Sequence, residues 1–231
     1  MEEESFTDTT RFEIEVPFML MDVGKEKDKR LFIYLHGFRQ NMNIFRSYME
    51  PLLDLEGYHL FIQGPYPIYD RDRNKRIEEW GRAWYLYDGN QDSFHKSLEH
   101  TSAFLDQLID KRIANESKFS SMTIIGYSMG GYLAGYYTLS RAPRVDNLVV
   151  IGSRIKTEYF KDKQHNYTEL EVLAIHGKDD RSVEGAPQKR SCNQLAKWGA
   201  NVTYKELNGG HKLQEKYLNE IRKWLLSQKN K

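Results

Sequence analysis

A serine between two glycines is the residue of this chain best placed to do chemistry. The pentapeptide Gly126–Gly130 reads Gly-Tyr-Ser-Met-Gly, a pattern that turns from a strand into a helix and lifts the serine hydroxyl above the end of a sheet. The apolar residues 121–125 precede it and an apolar run up to Leu139 follows it, as that turn requires. The pattern therefore predicts Ser128 as a nucleophile that attacks an electron-poor carbon, such as that of a carbonyl group.

A serine hydroxyl becomes a good nucleophile only beside a base, and a carboxylate must hold that base in place. After residue 176 the chain has a single histidine, His211, between the last predicted strand and the last predicted helix. Asp179 and Asp180 follow the strand predicted for residues 171–176, so they belong to the same edge of the sheet as Ser128. We expect His211 to be the base, with either of the two aspartates as its partner.

The attack leaves a negatively charged oxygen, which backbone N–H groups stabilise in such sites. The N–H of Met129, directly after the serine, is the first predicted donor. The second is expected in the loop 36–41 after an early strand, where Phe38 is the candidate and Gly37 permits a sharp turn. His36 ends that early strand, and we expect its ring to organise the loop through internal hydrogen bonds rather than to act as a base.

Apolar strands alternate with helices along most of the chain. Strands are predicted at 31–35, 58–62, 121–125, 147–151, 171–176 and 202–207, with one or two more within 11–22; helices are predicted at 43–55, 92–114, 131–139, 186–198 and 213–226. This alternation predicts an α/β fold with a mostly parallel central sheet and helices on both faces. We expect residues 1–10 to be loose and residues 11–231 to form a single domain.

Composition excludes several classes of partner. The 231 residues carry 34 basic and 33 acidic side chains, a formal charge of +1, so no global field attracts nucleic acid or an anionic membrane. No apolar run approaches the ~20 residues that cross a bilayer, and the acidic N-terminus lacks the pattern of a signal peptide. We therefore expect a small-molecule substrate, no membrane insertion, and a monomer or homodimer.

Cysteine and histidine usage bears on location and cofactors. Cys192 is the only cysteine, which rules out an intrachain disulfide and favours a cytoplasmic location. No second histidine or cysteine accompanies His211 at the spacing of metal ligands. We expect neither a metal nor another cofactor.

Four motifs together resemble the phospholipase/carboxylesterase family of the α/β-hydrolase superfamily, which includes the acyl-protein thioesterases. They are Leu35–Phe38, Gly126–Gly131, His176–Asp180 and Gly210-His211, and they occur in the family's order. In that family the acid is the fifth residue of a His-Gly-x-x-Asp motif, which implies Asp180 rather than Asp179. The resemblance implies an α/β-hydrolase fold without a large lid domain and a serine esterase that forms an acyl-enzyme intermediate.

Two departures from the family pattern bear on the substrate. Tyr127 and Met129 flank the serine where the thioesterases typically carry Phe and Gln, and residues 36–41 are closer to small serine hydrolases of the ovarian-tumour-associated type. These differences weaken the case for a protein thioester as the substrate. No large lid domain is visible in the sequence, and an open site of that kind favours carboxylic esters with short to medium acyl chains. Thioester or lysophospholipid hydrolysis is the alternative, and a lyase or a ligand-binding module on the same fold is another.

A long insert between the strand 58–62 and the helix 92–114 is rich in aromatic residues. Tyr66, Trp80 and Trp84 from this insert, together with Tyr127, are the predicted lining of a substrate pocket. Packing of the insert onto the body of the domain is the other interpretation of these aromatics. A basic run at 71–76 could attract an anionic head group or form a solvated loop.

Overall fold

The computed structural model describes residues 8, 10, 13–25, 27–71, 74–115, 117–161 and 167–228. The strands there are β1 (Phe18–Val23), β2 (Arg30–Leu35), β3 (Gly57–Ile62), β4 (Tyr66–Pro67), β5 (Arg82–Ala83), β6 (Ser121–Tyr127), β7 (Asn147–Ile151), β8 (Glu171–Gly177) and β9 (Asn201–Leu207). The α-helices are α1 (Met42–Tyr48), α2 (Gln91–Leu108), α3 (Met129–Ser140), α4 (Gly185–Lys197) and α5 (Glu215–Ser227). The segment predicted to be loose, 1–10, lies outside the described residues except for Asp8 and Thr10.

Seven of these strands form one sheet in the order β1-β3-β2-β6-β7-β8-β9. The pair β1–β3 is antiparallel, and every other pair in this sheet is parallel. The short strands β4 and β5 pair with each other as a separate antiparallel hairpin. The mostly parallel sheet predicted from the sequence is confirmed. Because parallel strands end at a common edge, the loops after β2, β6, β7, β8 and β9 meet at one rim of the molecule.

The central strands are apolar on both faces because helices cover both. Every residue of β2 and of β7 is buried, as expected for parallel strands between two helical layers. On one face, side chains such as Ile33 and Ile124 pack against α2, α3 and α4. On the other face, side chains such as Phe32 and Ile125 pack against α1 and α5. These two clusters hold the carboxyl edge of the sheet in place.

The predicted helices differ from the observed ones mainly at their ends. The helix predicted over 43–55 stops at Tyr48 and continues as a 3₁₀ turn, Glu50–Leu52, because Pro51 lacks the N–H that an α-helical turn would use. The helix predicted over 92–114 is α-helical to Leu108 and then widens into the π-helical turn Ile109–Ile113. A single leading strand, β1, occupies the region where one or two were expected.

Candidate active site

Ser128 occupies a strained turn between β6 and α3. Its backbone has φ 51° and ψ −117°, a conformation that non-glycine residues rarely adopt. Its N–H donates to the carbonyl of Ile151 on β7 at 2.9 Å, which anchors the turn to the sheet. A Cβ at Gly126 would overlap the carbonyl of Gly130, and one at Gly130 would overlap that of Leu35. Both glycines are therefore required for α3 to approach the sheet this closely.

The structure brings Ser128, His211 and Asp180 into one hydrogen-bonded chain. His211 Nε2 lies 2.9 Å from Ser128 Oγ, and His211 Nδ1 lies 2.8 Å from Asp180 Oδ2. The carboxylate accepts from Nδ1–H, which leaves Nε2 free to accept the serine proton. The His211 side chain is 22% exposed and that of Asp180 is 1% exposed, so a ligand can reach the histidine but not the carboxylate.

Asp180 is held as a carboxylate by several donors. Its Oδ1 accepts the N–H groups of Ser182 and Val183, each at 2.9 Å. Burial acts to raise the pKa of Asp180, but the hydrogen bonds from His211 and from these two amides outweigh it and leave the pKa below its ordinary value. Asp179 is exposed, and its N–H donates to the carbonyl of Gly209. The geometry therefore distinguishes between the two aspartates that the residues alone left open.

His211 is supported through its backbone by two tyrosines. The hydroxyl of Tyr127 donates to the carbonyl of His211 at 2.9 Å, and that of Tyr217 donates to the carbonyl of Gly210 at 2.9 Å. Tyr127 is 7% exposed, and this burial raises its pKa to about 12. The prediction that Tyr127 lines the substrate pocket is wrong, because its ring is buried against His211 with a centroid distance of 5.4 Å.

Two residues near the aspartate were not predicted to have a role. A Cβ at Gly152 would stand 3.4 Å from His211 Nδ1 and 3.5 Å from Asp180 Oδ2, so a glycine leaves room for that pair. The signal in the sequence was a glycine directly after an apolar strand. His176 donates its Nε2–H to the carbonyl of Val183 at 2.8 Å, and the same nitrogen lies 3.6 Å from Asp180 Oδ2. The buried ring of His176 thus closes the loop that wraps the carboxylate.

The loop after β2 presents a free N–H beside the nucleophile. Gln40 N–H donates to the carbonyl of Gly37 at 3.2 Å, which makes a four-residue turn with Phe38 at its second position. The N–H of Gly37 is already bound to Gln40 Oε1 at 2.7 Å. In the described part of the chain, the N–H groups of Phe38 and Met129 donate to no other residue, so both are available to a ligand. A Cβ at Gly37 would lie 2.8 Å from the Tyr127 ring, which places the loop against the nucleophile turn.

His36 organises this loop, as predicted. Its Nδ1–H donates to the carbonyl of Gly37 at 2.8 Å, and its Nε2 accepts the N–H of Gly64 at 3.0 Å. Burial lowers its pKa to about 4, with the hydrogen bond to Gly37 opposing that shift, so the ring stays neutral. The indole N–H of Trp84 donates to the carbonyl of His36 at 2.8 Å. Trp84 is fully buried, so the prediction that it lines the pocket is wrong.

The remaining predicted pocket residues lie on the insert. Trp80 is half-buried and packs edge-to-face on Tyr69 with ring centroids 5.0 Å apart. Tyr66 is half-buried and lines an apolar cavity of about 900 Å³, together with Met42 and Phe104. The backbone of the insert joins the loop after β2, because Arg82 N–H donates to the carbonyl of Gln40 at 2.8 Å. Trp80 and Tyr66 remain predicted pocket residues.

Among the described residues, no group of three or more His, Cys, Asp or Glu side chains is arranged to hold a metal ion. Within the same ranges, no helix combines the length and the apolar character needed to span a bilayer.

Solved structures place this fold in a known class. A carboxylesterase from Mesorhizobium loti superposes with a TM-score of 0.74 at 20% identity, covering 91% of this chain and 94% of that one. The Bacillus cereus carboxylesterase has a TM-score of 0.73 at 20% identity, with coverages of 90% and 92%. Zea mays acyl-protein thioesterase 2 has a TM-score of 0.68 at 18% identity, with coverages of 91% and 98%. The protein has the α/β-hydrolase fold.

The sequence identifies the family within that class. The model of the Phospholipase/Carboxylesterase family matches residues 20–228, and the chain belongs to this family of hydrolases. Mouse lysophospholipase-like protein 1 is 26% identical over 136 residues. That alignment spans 57% of this chain and 57% of the mouse protein, little more than half of either.

Proposed function

We propose that this protein is a serine esterase that hydrolyses carboxylic esters with short to medium acyl chains. The observation that carries the proposal is the unbroken chain from Ser128 Oγ through His211 to Asp180, with contacts of 2.9 and 2.8 Å. Membership of a hydrolase family supports it independently. Ser128 is the proposed nucleophile, His211 the base, and Asp180 the residue that orients the base.

The first half of the reaction acylates the enzyme. Ser128 Oγ attacks the ester carbonyl carbon while its proton passes to His211 Nε2, and the Asp180 carboxylate stabilises the resulting imidazolium. The carbonyl oxygen becomes an oxyanion, which the N–H groups of Phe38 and Met129 bind. The tetrahedral intermediate then expels the alcohol oxygen, which takes the proton from His211. The acyl group remains on Ser128.

The second half returns the enzyme to its starting state. A water molecule gives one proton to His211 Nε2 as its oxygen attacks the acyl carbon, and the same N–H groups hold the new oxyanion. Expulsion of Ser128 Oγ, reprotonated by His211, releases the carboxylic acid. One ester and one water thus yield one acid and one alcohol. The buried Asp180 keeps its charge throughout.

Kinetics of Ser128→Ala on nitrophenyl esters of increasing chain length test the proposal. Loss of the nucleophile removes the covalent route, so we expect kcat to fall by about 10⁴ or more. Ser182→Ala is the matched control, because Ser182 is exposed and contacts Asp180 only through its backbone N–H. More than a tenth of the wild-type rate in the Ser128 variant would rule out the mechanism.

Thioesters and lysophospholipids are the alternative substrates, since the same acyl transfer applies to both. The similarity to maize acyl-protein thioesterase 2 and to mouse lysophospholipase-like protein 1 favours including them. Matched oxygen esters and thioesters of one acyl chain separate these possibilities. If the protein hydrolysed no oxygen ester, thioester or lysophospholipid, or if Ser128→Ala did not change the rate of hydrolysis, a lyase or a ligand-binding module would be favoured instead.

We further propose that the enzyme works in the cytoplasm as a monomer or homodimer. The lone Cys192 is buried, and burial raises its pKa to about 12, so the thiol stays protonated and protected. Imaging of a tagged chain tests the location, and sedimentation equilibrium tests the assembly. Residence in an oxidising compartment or a larger oligomer would contradict these two points.

A further inference from the structure

Arg39 has a backbone conformation that suits glycine better than arginine. In the described ranges, Arg39 and Ser128 are the two non-glycine residues with positive φ, and that of Arg39 is 63°. Arg39 is the third residue of the turn from Gly37 to Gln40, while φ of Phe38, the second residue, is not positive. These values define a type II turn, whose third position favours glycine because a Cβ is crowded there.

Backbone hydrogen bonds impose this conformation whatever side chain is present. Arg39 N–H donates to the carbonyl of Arg82 at 3.1 Å, and Arg82 N–H donates back to the carbonyl of Gln40 at 2.8 Å. A Cβ at Gly81 would lie 2.6 Å from the carbonyl oxygen of Arg39, so the insert presses directly on the turn. A glycine would satisfy the same bonds with less strain. The arginine side chain therefore needs a reason of its own, and strain of this kind marks functional positions.

The side chain of Arg39 is exposed and lines a cleft of about 670 Å³. The cleft lies between the insert and the start of α1, and Arg71 lines it as well. Neither arginine forms an ion pair within the described part of the chain. Two guanidinium groups with free donors thus share one cleft, and one of them belongs to Arg39, the residue directly after Phe38 in the chain.

The carboxylates of the cleft are engaged elsewhere. They belong to Asp70, Glu78 and Glu79. Asp70 lies 2.8 Å from Lys75 Nζ, and Glu79 Oε2 accepts the N–H of Arg76 at 2.9 Å. Glu78 interacts electrostatically with the guanidinium of Arg82. Each of these carboxylates thus has a partner other than Arg39 and Arg71, so those two guanidinium groups keep donors for a ligand within the described residues.

We propose that Arg39, with Arg71 further along the cleft, binds an anionic group of the substrate. This proposal rests on the proposed function and narrows it to esters that carry a carboxylate or phosphate apart from the scissile bond. Guanidinium groups suit both anions, because their paired N–H donors match two oxygens at once. Phe38 and Arg39 are consecutive residues of one turn, so an ester with its carbonyl oxygen at Phe38 N–H would extend its anionic group towards the cleft that Arg39 lines.

Two pairs of esters test the proposal. The mono(4-nitrophenyl) ester of glutaric acid and 4-nitrophenyl valerate differ by a carboxylate on the acyl side. The esters 4-acetoxybenzoate and methyl 4-acetoxybenzoate differ by a carboxylate on the alcohol side. Arg39→Gln should lower kcat/KM at least tenfold for the charged member of one pair, while both neutral members change less than twofold. Inorganic phosphate and acetate, as competitive inhibitors of the wild type, show which anion binds better.

Two further variants separate binding from structure. Arg39→Gly removes the guanidinium and relieves the backbone, so it should repeat the loss for the charged ester with an unchanged or higher melting temperature. Arg190→Gln removes an exposed arginine on α4 and should leave both pairs unchanged. Equal losses for charged and neutral esters, or no loss in either pair, would overturn the anion site. A wild-type protein that hydrolyses neither the charged nor the neutral esters would count against the proposed function instead.

Discussion

At the scale of residues, Asp179 and Asp180 show how one position along the chain changes the environment of a carboxylate. Asp180 is buried and binds His211 and two amide N–H groups, whereas Asp179 is exposed. The residue types alone could not separate them, because both are acidic and both follow β8. The spacing of a family motif implied Asp180, and the geometry places that carboxylate against His211.

This difference gives a paired prediction. Asp180→Asn should lower kcat/KM by about 10²–10⁴, because an amide can no longer accept the His211 Nδ1–H and fix that tautomer. Asp179→Asn should cost less than about tenfold, since its side chain faces solvent. Ester kinetics on both variants make the comparison. A larger loss for Asp179→Asn would show that the wrong aspartate has been assigned.

At the scale of elements, much of the fold could be predicted because the buried strands are long and apolar. All six predicted strands from 31–35 onward are present, since their runs are continuous and bounded by polar turns. The hairpin of β4 and β5 could not be predicted, because two residues per strand carry no periodicity. Trp84 was wrongly predicted to line the pocket for a related reason. It is buried against His36, a residue far from it in the sequence, and the sequence does not show that contact.

The loop between β8 and α4 gives the prediction at this scale. His176 closes that loop through Val183, so His176→Met should let Asp180 shift and should lower kcat about 10- to 100-fold with little change in KM. His176→Gln should recover most of the activity, because its amide nitrogen can occupy the position of Nε2. Melting temperatures of both variants serve as the control. Wild-type kcat in the methionine variant would show that the loop holds Asp180 without this histidine.

At the scale of the whole molecule, buried neutral histidines make stability depend on pH. Burial lowers the pKa of His59, whose Nε2–H donates to Leu55 and whose Nδ1 accepts from Tyr34, and lowers that of His36 to about 4. Unfolded histidine has a pKa near ~6.5. The stability from these neutral rings is therefore complete above pH ~6.5 and is lost as the pH falls from ~6.5 through about 4.

Calorimetry between pH 4 and 8 checks this expectation. The melting temperature should be level above about pH 7 and fall below it, with His36 contributing about 3 kcal/mol to the loss by pH 4. His59→Gln, which has no group that titrates in this range, should remove part of the fall. The exposed His100→Gln should not. A level melting temperature down to pH 4.5 would contradict the assignment of neutral buried rings.

The sheet brings together residues more than eighty positions apart, and covalent labelling tests the central claim about them most directly. Ser128 and His211 meet because the loops after β6 and β9 share one rim. A fluorophosphonate reacts with an activated serine, so intact-mass spectrometry should show one adduct, and peptide mapping should place it on Ser128. His211→Ala should abolish the labelling. No adduct, or an adduct on another residue while ester hydrolysis proceeds, would contradict Ser128 as the nucleophile.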